Sequence, residues 1–164
     1  AGELELKLGG RPADLSSRPF SHRRTIYGLV DRQELDDVFR VFDFPSPDVS
    51  ADSRPQTTVP QQALFVMNSP FVLEQARALA ARVADESDPA ARVRRLYRLA
   101  LGRQPTADEL SLGTRFAASQ GSQPPPAARA KSQGKKQPTP PPPLTAWEMY
   151  AQVLLLANEF MFVD

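Results

Sequence analysis

One repeated pattern constrains the fold of this chain more than any other, and it is the residue signal that starts an α-helix. Three threonines are each followed three residues later by Gln or Glu, in the pairs Thr58–Gln61, Thr106–Glu109 and Thr145–Glu148. In such a capping box the threonine oxygen accepts a hydrogen bond from a free backbone N–H of the first turn, and the later side chain accepts one from the N–H of the threonine. The sequence therefore predicts a helix after each threonine.

Two further helix starts place a proline directly after a capping residue. Ser69 precedes Pro70 and Asp88 precedes Pro89, and proline is tolerated at the first helical position because its missing N–H would be unpaired there anyway. Residues 34–42 carry apolar side chains at helical spacing, which predicts another short helix. Together these patterns predict a mainly α fold, an irregular bundle of about five or six short helices.

Near the N-terminus the pattern changes from helical spacing to alternation. Leucine alternates with Glu or Lys over Glu3–Leu8, which is the period-two pattern of a half-buried strand, and Gly9 follows it. Thr25–Val30 is rich in β-branched and aromatic residues, which favour strands. We therefore predict a small two-stranded β element near the N-terminus.

Residues 119–144 form a tract rich in proline and lysine, and no large apolar side chain precedes Leu144 in it. Such a composition buries too little apolar surface to compensate the entropy lost on ordering, so we predict a disordered insertion within one domain. Its proline runs favour polyproline II, a conformation that SH3-like partners bind. A tolerated surface insertion is the favoured interpretation, because lengthening a loop adds little to the free energy of folding.

The charge balance argues against nucleic acid as a partner. The chain carries 20 basic and 19 acidic side chains, but four of the basic ones lie in the tract, which leaves 16 basic against 19 acidic elsewhere. Domains that bind nucleic acid are usually clearly basic. The most apolar run, residues 153–163, is interrupted by Asn158 and Glu159 and is too short to span a bilayer. We predict neither nucleic-acid binding nor a transmembrane segment.

The absence of cysteine excludes thiolate zinc sites, iron–sulfur clusters and covalently attached haem from this segment. The single histidine, His22, has no second ligand at metal-binding spacing, and we expect it on the surface. Asp43, Asp48 and Asp52 offer oxygens of the kind that calcium binds, but the alternate carboxylates of an EF-hand are missing and turn formation explains them better. We predict no metal and no cofactor in this segment.

An enzyme of a common hydrolytic class would need a nucleophile or a pair of carboxylates. The sequence contains no G-x-S-x-G motif and no phosphate-binding glycine loop. Asp31, Asp43 and Glu159 would serve a glycoside hydrolase only if two of them faced one cleft. We assign no catalytic residue, and we keep a hydrolase of complex carbohydrate and a glycan-binding module as alternatives.

Polar side chains near the predicted helices form the candidate site. Arginine binds carboxylates through paired hydrogen bonds, and Gln and Asn commonly satisfy loop backbone. On this basis we predict a polar cluster made of Arg24, Arg32, Asp43, Arg54, Gln62, Asn68 and Asn158. The favoured role is an internal network in which Arg24 or Arg32 pairs with Asp31 or Asp43. A ligand-binding patch is the alternative.

Five segments, in this order along the chain, together resemble one known family. They are Arg23–Arg32 (RRTIYGLVDR), Phe42–Asp48 (FDFPSPD), Thr57–Val72 (TTVPQQALFVMNSPFV), Leu96–Leu110 (LYRLALGRQPTADEL) and Gln152–Asp164 (QVLLLANEFMFVD). The family is the planctomycete-specific domain of unknown function found at the C-terminal end of large cytochrome c-associated proteins. The resemblance covers nearly the whole chain apart from the tract of residues 119–144.

The resemblance implies a context for the chain. Residues 1–164 would be the C-terminal portion of one such domain, within an exported protein of the periplasm or cell surface. Its partners would be the preceding domains of the same polypeptide, with polysaccharide or electron-transfer proteins as wider partners, and haem would belong to a separate cytochrome c-like domain. No activity is established for the family, so no catalytic residue is carried over. A non-catalytic structural or interaction role is therefore the favoured hypothesis.

Overall fold

The computed structural model describes residues 1–48, 50, 60–120 and 142–161. The chain divides into two units, Ala1–Ala78 (unit 1) and Leu79–Asp164 (unit 2). Within the described residues it contains seven α-helices and one 3-10 helix, and its only β structure is a pair of isolated bridges. The predicted mainly α fold is confirmed.

Unit 1 contains α1 (Asp37–Val41), α2 (Pro60–Asn68) and most of α3 (Pro70–Ala81). The Asp36 carboxylate starts α1 by accepting a hydrogen bond from the N–H of Val38 at 3.1 Å. The helix predicted over residues 34–42 is thus confirmed over its second half. Proline begins α3 as the sequence predicts.

The helix expected after Thr58 is also present, since α2 begins at Pro60. Thr58 itself lies outside the described residues, as does the predicted tract of residues 119–144 except at its two ends. Aromatic rings join α1 and the turn that follows it to α2. Phe39 is buried with its ring 4.9 Å from that of Phe44, and the Phe42 ring meets Phe65 edge-on at 6.2 Å.

The N-terminal segment differs from the prediction. Thr25–Tyr27 is a 3-10 helix, so the strand predicted over residues 25–30 is wrong. The N–H of Gly28 donates to the Thr25 carbonyl at 2.8 Å and closes that turn. The conformation of residues 25–30 is set by the contacts of this segment rather than by its β-propensity, because β-propensity depends strongly on context. In place of the predicted two-stranded element, the described residues contain two isolated parallel bridges. One joins Glu5 to Arg23 and the other joins Ala13 to Gly28.

Unit 2 contains α4 (Pro89–Leu101), α5 (Ala107–Gln120), α6 (Ala146–Leu155) and α7 (Asn158–Met161). α4 packs against the other three helices, and α6 packs against both α5 and α7. α6 buries Tyr150, Ala151, Leu154 and Leu155. The turn at residues 156–157 separates α6 from α7.

The helix ends of unit 2 confirm the predicted caps. Asp88 accepts hydrogen bonds from the N–H groups of the first turn of α4, and Gly102 ends that helix in the left-handed region with φ 71°. Thr106 and Thr145 form complete capping boxes with their partner glutamates. Glycine is favoured at position 102 because residues with a side chain rarely adopt this φ angle.

Close approach of α5 to α6 depends on Gly113. A Cβ atom added there would collide with the Tyr150 hydroxyl, and it would lie 2.8 Å from the ring carbon Cζ and 3.1 Å from Val93. The absence of a side chain therefore lets Tyr150 reach across α5.

Of the helices in the described residues, none combines the length and the apolar character needed to cross a membrane.

Candidate functional site

The structure brings together two members of the predicted polar cluster, Asp43 and Gln62. Gln62 is only 8% exposed, and its side-chain amide donates to the Val41 carbonyl at 3.1 Å and to the Asp43 carboxylate at 3.5 Å. Asp43 follows α1 with φ 54°, the left-handed region that Asp tolerates better than most residues. The amide of Gln62 thus ties the end of α1 to α2.

The other members of the predicted cluster lie apart or outside the described residues. Arg24 and Arg32 have exposed side chains, and in the described part of the chain neither forms an ion pair with Asp31 or Asp43. Asn68 donates to the Leu64 carbonyl of its own helix at 2.8 Å. Asn158 belongs to unit 2, where it begins α7, and Arg54 lies outside the described residues.

Charged side chains meet in unit 2 at a network that the sequence analysis did not predict, centred on Arg103. Its guanidinium donates to Glu109 through two bonds of 2.8 Å and to Glu159 through bonds of 2.6 and 2.7 Å. The Glu109 carboxylate also accepts the N–H of Thr106 at 2.7 Å as part of the capping box. Arg103 therefore joins the start of α5 to α7. The sequence feature that indicates this network is the position of Arg103 between Gly102, which ends α4, and the capping box that starts α5.

The protonation states of this network suit a structural clamp. The Arg103 guanidinium, with help from the Thr106 N–H, lowers the pKa of Glu109 from 4.5 to about 2. Arg103 also lowers the pKa of Glu159, whereas burial raises the pKa values of Tyr97 and Tyr150. A general acid or base works best with a pKa near the working pH. These shifts keep both carboxylates ionised near neutral pH, where they form ion pairs with Arg103.

Arginine also anchors loops elsewhere in both units. Arg92 donates to the Ala84 carbonyl at 3.0 Å and to the Glu86 carbonyl at 3.1 Å, and its guanidinium lies 4.8 Å from the Trp147 ring centre. Arg23 donates to the carbonyls of Gly9 and Arg11 and stacks 4.1 Å from the Tyr27 ring centre. Arg92 and Arg23 thus anchor loops, the role for which the sequence analysis considered Arg24 or Arg32.

Three carboxylates of unit 1, including the candidate Asp31, are engaged in turns. Asp14, Asp31 and Asp36 line an open depression of about 450 Å³ in unit 1. Each of the three accepts a backbone N–H two residues ahead in the chain, and hydrogen bonds from Ser17 and Ser16 hold the pKa of Asp14 well below its usual range. These carboxylates finish turns and helix starts rather than converging on one point.

Metal ligands do not gather in the described residues, where no group of three or more His, Asp or Glu side chains is placed to hold an ion. Nδ1 of His22 lies 3.5 Å from the Glu3 carboxylate, and both side chains are largely exposed. Asp43 binds Gln62 and Asp48 is exposed, while Asp52 lies outside the described residues.

Two tyrosines and the tryptophan of unit 2 pack against other side chains. Tyr97 and Tyr150 are buried. The Trp147 ring lies edge-on to Tyr150 at 6.3 Å and is covered by Arg92.

Large apolar side chains are left exposed in the N-terminal segment of unit 1. Leu4, Leu6 and Leu8 are 57%, 76% and 84% exposed, and Ile26 is 81% exposed. We call the first three residues the leucine edge. The alternation predicted for Glu3–Leu8 is therefore present in the sequence without the burial that usually accompanies it.

Comparison with known proteins places the chain in a family without assigning an activity. A family model described as "PSD1: Protein of unknown function (DUF1553)" matches residues 1–117. The chain belongs to this family. The match includes the leucine edge, the Gln62 contact and most of the Arg103 network, so these features lie within the part of the chain that defines membership of PSD1. No curated protein and no solved structure matches the chain.

Proposed function

We propose that this PSD1 chain is a non-catalytic structural or interaction domain of a larger exported protein that also carries a cytochrome c-like domain. The observation that carries the proposal is the exposure of the leucine edge. Burying one leucine side chain stabilises an assembly by roughly 1.5–3 kcal/mol, so three adjacent exposed leucines provide a substantial driving force for association. Their partners are polypeptide surfaces, first of all the preceding domains of the same protein.

The charged groups of unit 2 support the same role. Arg103, Glu109 and Glu159 bind one another, and Arg92 binds backbone carbonyls. Side chains committed in this way stabilise the helix ends. Unit 2 then serves as a stable support, and unit 1 offers the surface for contact. Electron-transfer proteins and polysaccharide are the wider partners of the assembled protein, with haem held by the cytochrome c-like domain.

The test is made in the full-length parent protein with the leucine edge replaced. Substituting Leu4, Leu6 and Leu8 together by Ser removes the apolar contact, and we expect the melting temperature of the preceding domains to fall in differential scanning calorimetry. Leu112→Ser is the matched control, because Leu112 of α5 is a leucine 59% exposed in unit 2. Unchanged transitions in the triple variant would contradict the proposal.

A further inference from the structure

We propose that the leucine edge pairs with the same segment of a second copy of the chain, as an antiparallel β-ladder with its two-fold axis at Leu6. This inference rests on the interaction role proposed above, but it names a second copy of the chain, instead of a preceding domain, as the partner of the leucine edge. A two-fold axis is the commonest symmetry of protein dimers, and it requires a surface that is complementary to itself. The orientation of the backbone, the charges and the leucines each meet that requirement.

The backbone of the segment has one edge occupied and one edge free. The N–H of Glu5 donates to the His22 carbonyl at 2.9 Å, and the Lys7 carbonyl accepts from Arg23 at 3.4 Å. In an extended chain the N–H and C=O of one residue point to the same side, and successive residues alternate between sides. The odd-numbered residues therefore face Arg23. The N–H and C=O groups of the leucine edge face the opposite side, where no described residue binds them.

An unpaired edge of this kind binds another extended segment through backbone hydrogen bonds. With Leu6 opposite Leu6 of the second copy, Leu4 lies opposite Leu8 and Leu8 opposite Leu4. In this register all three leucines of each copy form hydrogen-bonded pairs, and each N–H donates to the carbonyl of the leucine opposite. The ladder uses the groups that the chain itself leaves free.

The charges select the same register. With Leu6 on the axis, Glu5 lies opposite Lys7 of the second copy, and Lys7 lies opposite Glu5. Moving the register by two residues in one direction places Glu5 opposite Glu5 and Glu3 opposite Lys7, which adds a like-charge pair to the two attractive ones. Moving it in the other direction places Lys7 opposite Lys7 and leaves Glu5 opposite the uncharged Gly9. Opposite charges across an antiparallel pair are favourable and like charges are unfavourable. A slip by one residue would turn the free N–H groups away from the partner.

The leucines then lie together on one face of the ladder, because side chains alternate between the two faces of a strand. Six leucines from two copies meet there, and each covers surface that is exposed in the single chain. The interface is small compared with that of a permanent dimer, so the association is reversible and depends on protein concentration.

Charge exchange is the decisive experiment. Glu5→Lys places two lysines opposite two lysines, and Lys7→Glu places two glutamates opposite two glutamates. We expect each single variant to raise the dissociation constant about tenfold, because each converts two attractive cross-strand pairs into repulsive ones. The double variant with both changes restores the two pairs and should restore self-association. Sedimentation equilibrium from about 10 µM to about 1 mM covers the range expected for an interface of this size.

Mixing the two single variants gives a second readout. Each variant alone is repulsive, but an equimolar mixture places two lysines opposite two glutamates, so the mixture should associate more tightly than either variant. A partner other than a second copy cannot produce this result. Sedimentation of the wild-type chain as a monomer at every concentration, or equal self-association in all variants, would overturn the inference.

Backbone pairing is tested with Leu6→Pro. Proline removes the N–H at the two-fold axis and leaves the bond from Glu5 to His22 intact, so the chain should keep its circular dichroism and lose self-association. Leu6→Lys should also weaken self-association, whereas Leu112→Lys should not.

The outcomes separate this inference from the proposed function. If the charge variants leave self-association unchanged while the triple serine variant destabilises the preceding domains of the parent, the partner is another domain and the second-copy inference is wrong. If self-association follows the charges while the preceding domains are unaffected by the serine variant, the second copy is the partner of the leucine edge.

Discussion

In unit 2, Val93 and Leu96 have lost all of their exposure to solvent, whereas in unit 1 Leu6, Leu8 and Ile26 keep more than three quarters of theirs. The four largest fully buried side chains of the described residues all lie in unit 2. Burial of apolar surface is the main favourable term in folding. Unit 2 therefore buries a core of large apolar side chains, whereas unit 1 leaves part of its apolar surface exposed.

Polar contacts between distant residues are present in both units. In unit 2, Arg103 binds Glu159, which lies 56 positions further along the chain. In unit 1, Arg18 forms an ion pair with Glu74 at 2.8 Å, and the Gln62 amide binds the Val41 carbonyl. The two units therefore differ in how much of their large apolar side chains they bury rather than in the reach of their polar contacts.

The largest expected effect comes from shortening one leucine in each unit. Leu96→Ala should lower the free energy of unfolding by about 2–5 kcal/mol, because it leaves a cavity in the core of unit 2. Leu6→Ala should change it by less than about 0.5 kcal/mol in dilute solution, because the side chain is exposed. Urea denaturation followed by circular dichroism measures both. Similar losses in the two variants would break the contrast between the units.

A smaller loss is expected where α5 and α6 approach most closely. Gly113→Ala places a methyl group against the Tyr150 ring, and we expect a loss of about 1–3 kcal/mol in the free energy of unfolding, as for other overpacked cores. Tyr150→Phe removes the hydroxyl from the collision, so the double variant should lose less than the sum of the two single losses. If thermal denaturation showed that the losses of the two single variants simply add in the double variant, α5 and α6 would be free to separate at this point.

The smallest expected effect is the dependence on pH that the Arg103 network gives to unit 2. The folded-state pKa of Glu109, about 2, lies below its ordinary value of 4.5. The stabilisation from its charge is therefore fully present above pH 4.5 and is lost as the pH falls toward 2. Glu109→Gln keeps the capping geometry and removes the charge, so wild type and variant should differ most above pH 4.5 and converge near pH 2.

The matched control for this effect is Asp108→Asn, in the same turn of α5. Asp108 forms no ion pair within the described residues, so its replacement tests the general effect of a negative charge near a helix start. Urea midpoints measured at low salt from pH 2 to pH 7 make the comparison, since salt weakens exposed ion pairs. A difference for Glu109→Gln that persists unchanged at pH 2 would contradict the role of Arg103.

Helix starts could be predicted from the sequence because their determinants are local. Asp88, Thr106 and Thr145 bind backbone groups within three residues, and Gly102 acts through its own φ angle. No knowledge of distant residues was needed. The N-terminal strands could not be predicted in this way, because whether Thr25–Val30 extends or turns depends on what packs against it.

The groups that bind the arginine side chains could not be predicted from the neighbouring sequence either. The sequence shows which arginines are present but not which carbonyls and carboxylates the fold brings to them. Arg24 and Arg32 attracted attention through their neighbours, whereas Arg92 and Arg103 bind groups assembled by the ends of α3, α5 and α7. Gln62 was predicted because a buried amide is expected to satisfy nearby loop backbone, and it does so for Val41.

The most direct measurement is amide hydrogen exchange of the isolated chain, followed residue by residue as a function of protein concentration. If the open leucine edge docks onto a second copy, the amides of Leu4, Leu6 and Leu8 should exchange rapidly in dilute solution and slow as the concentration rises, while that of Leu96 stays protected throughout. Exchange at the three N-terminal leucines that is slow when dilute, or fast at every concentration, would contradict the account.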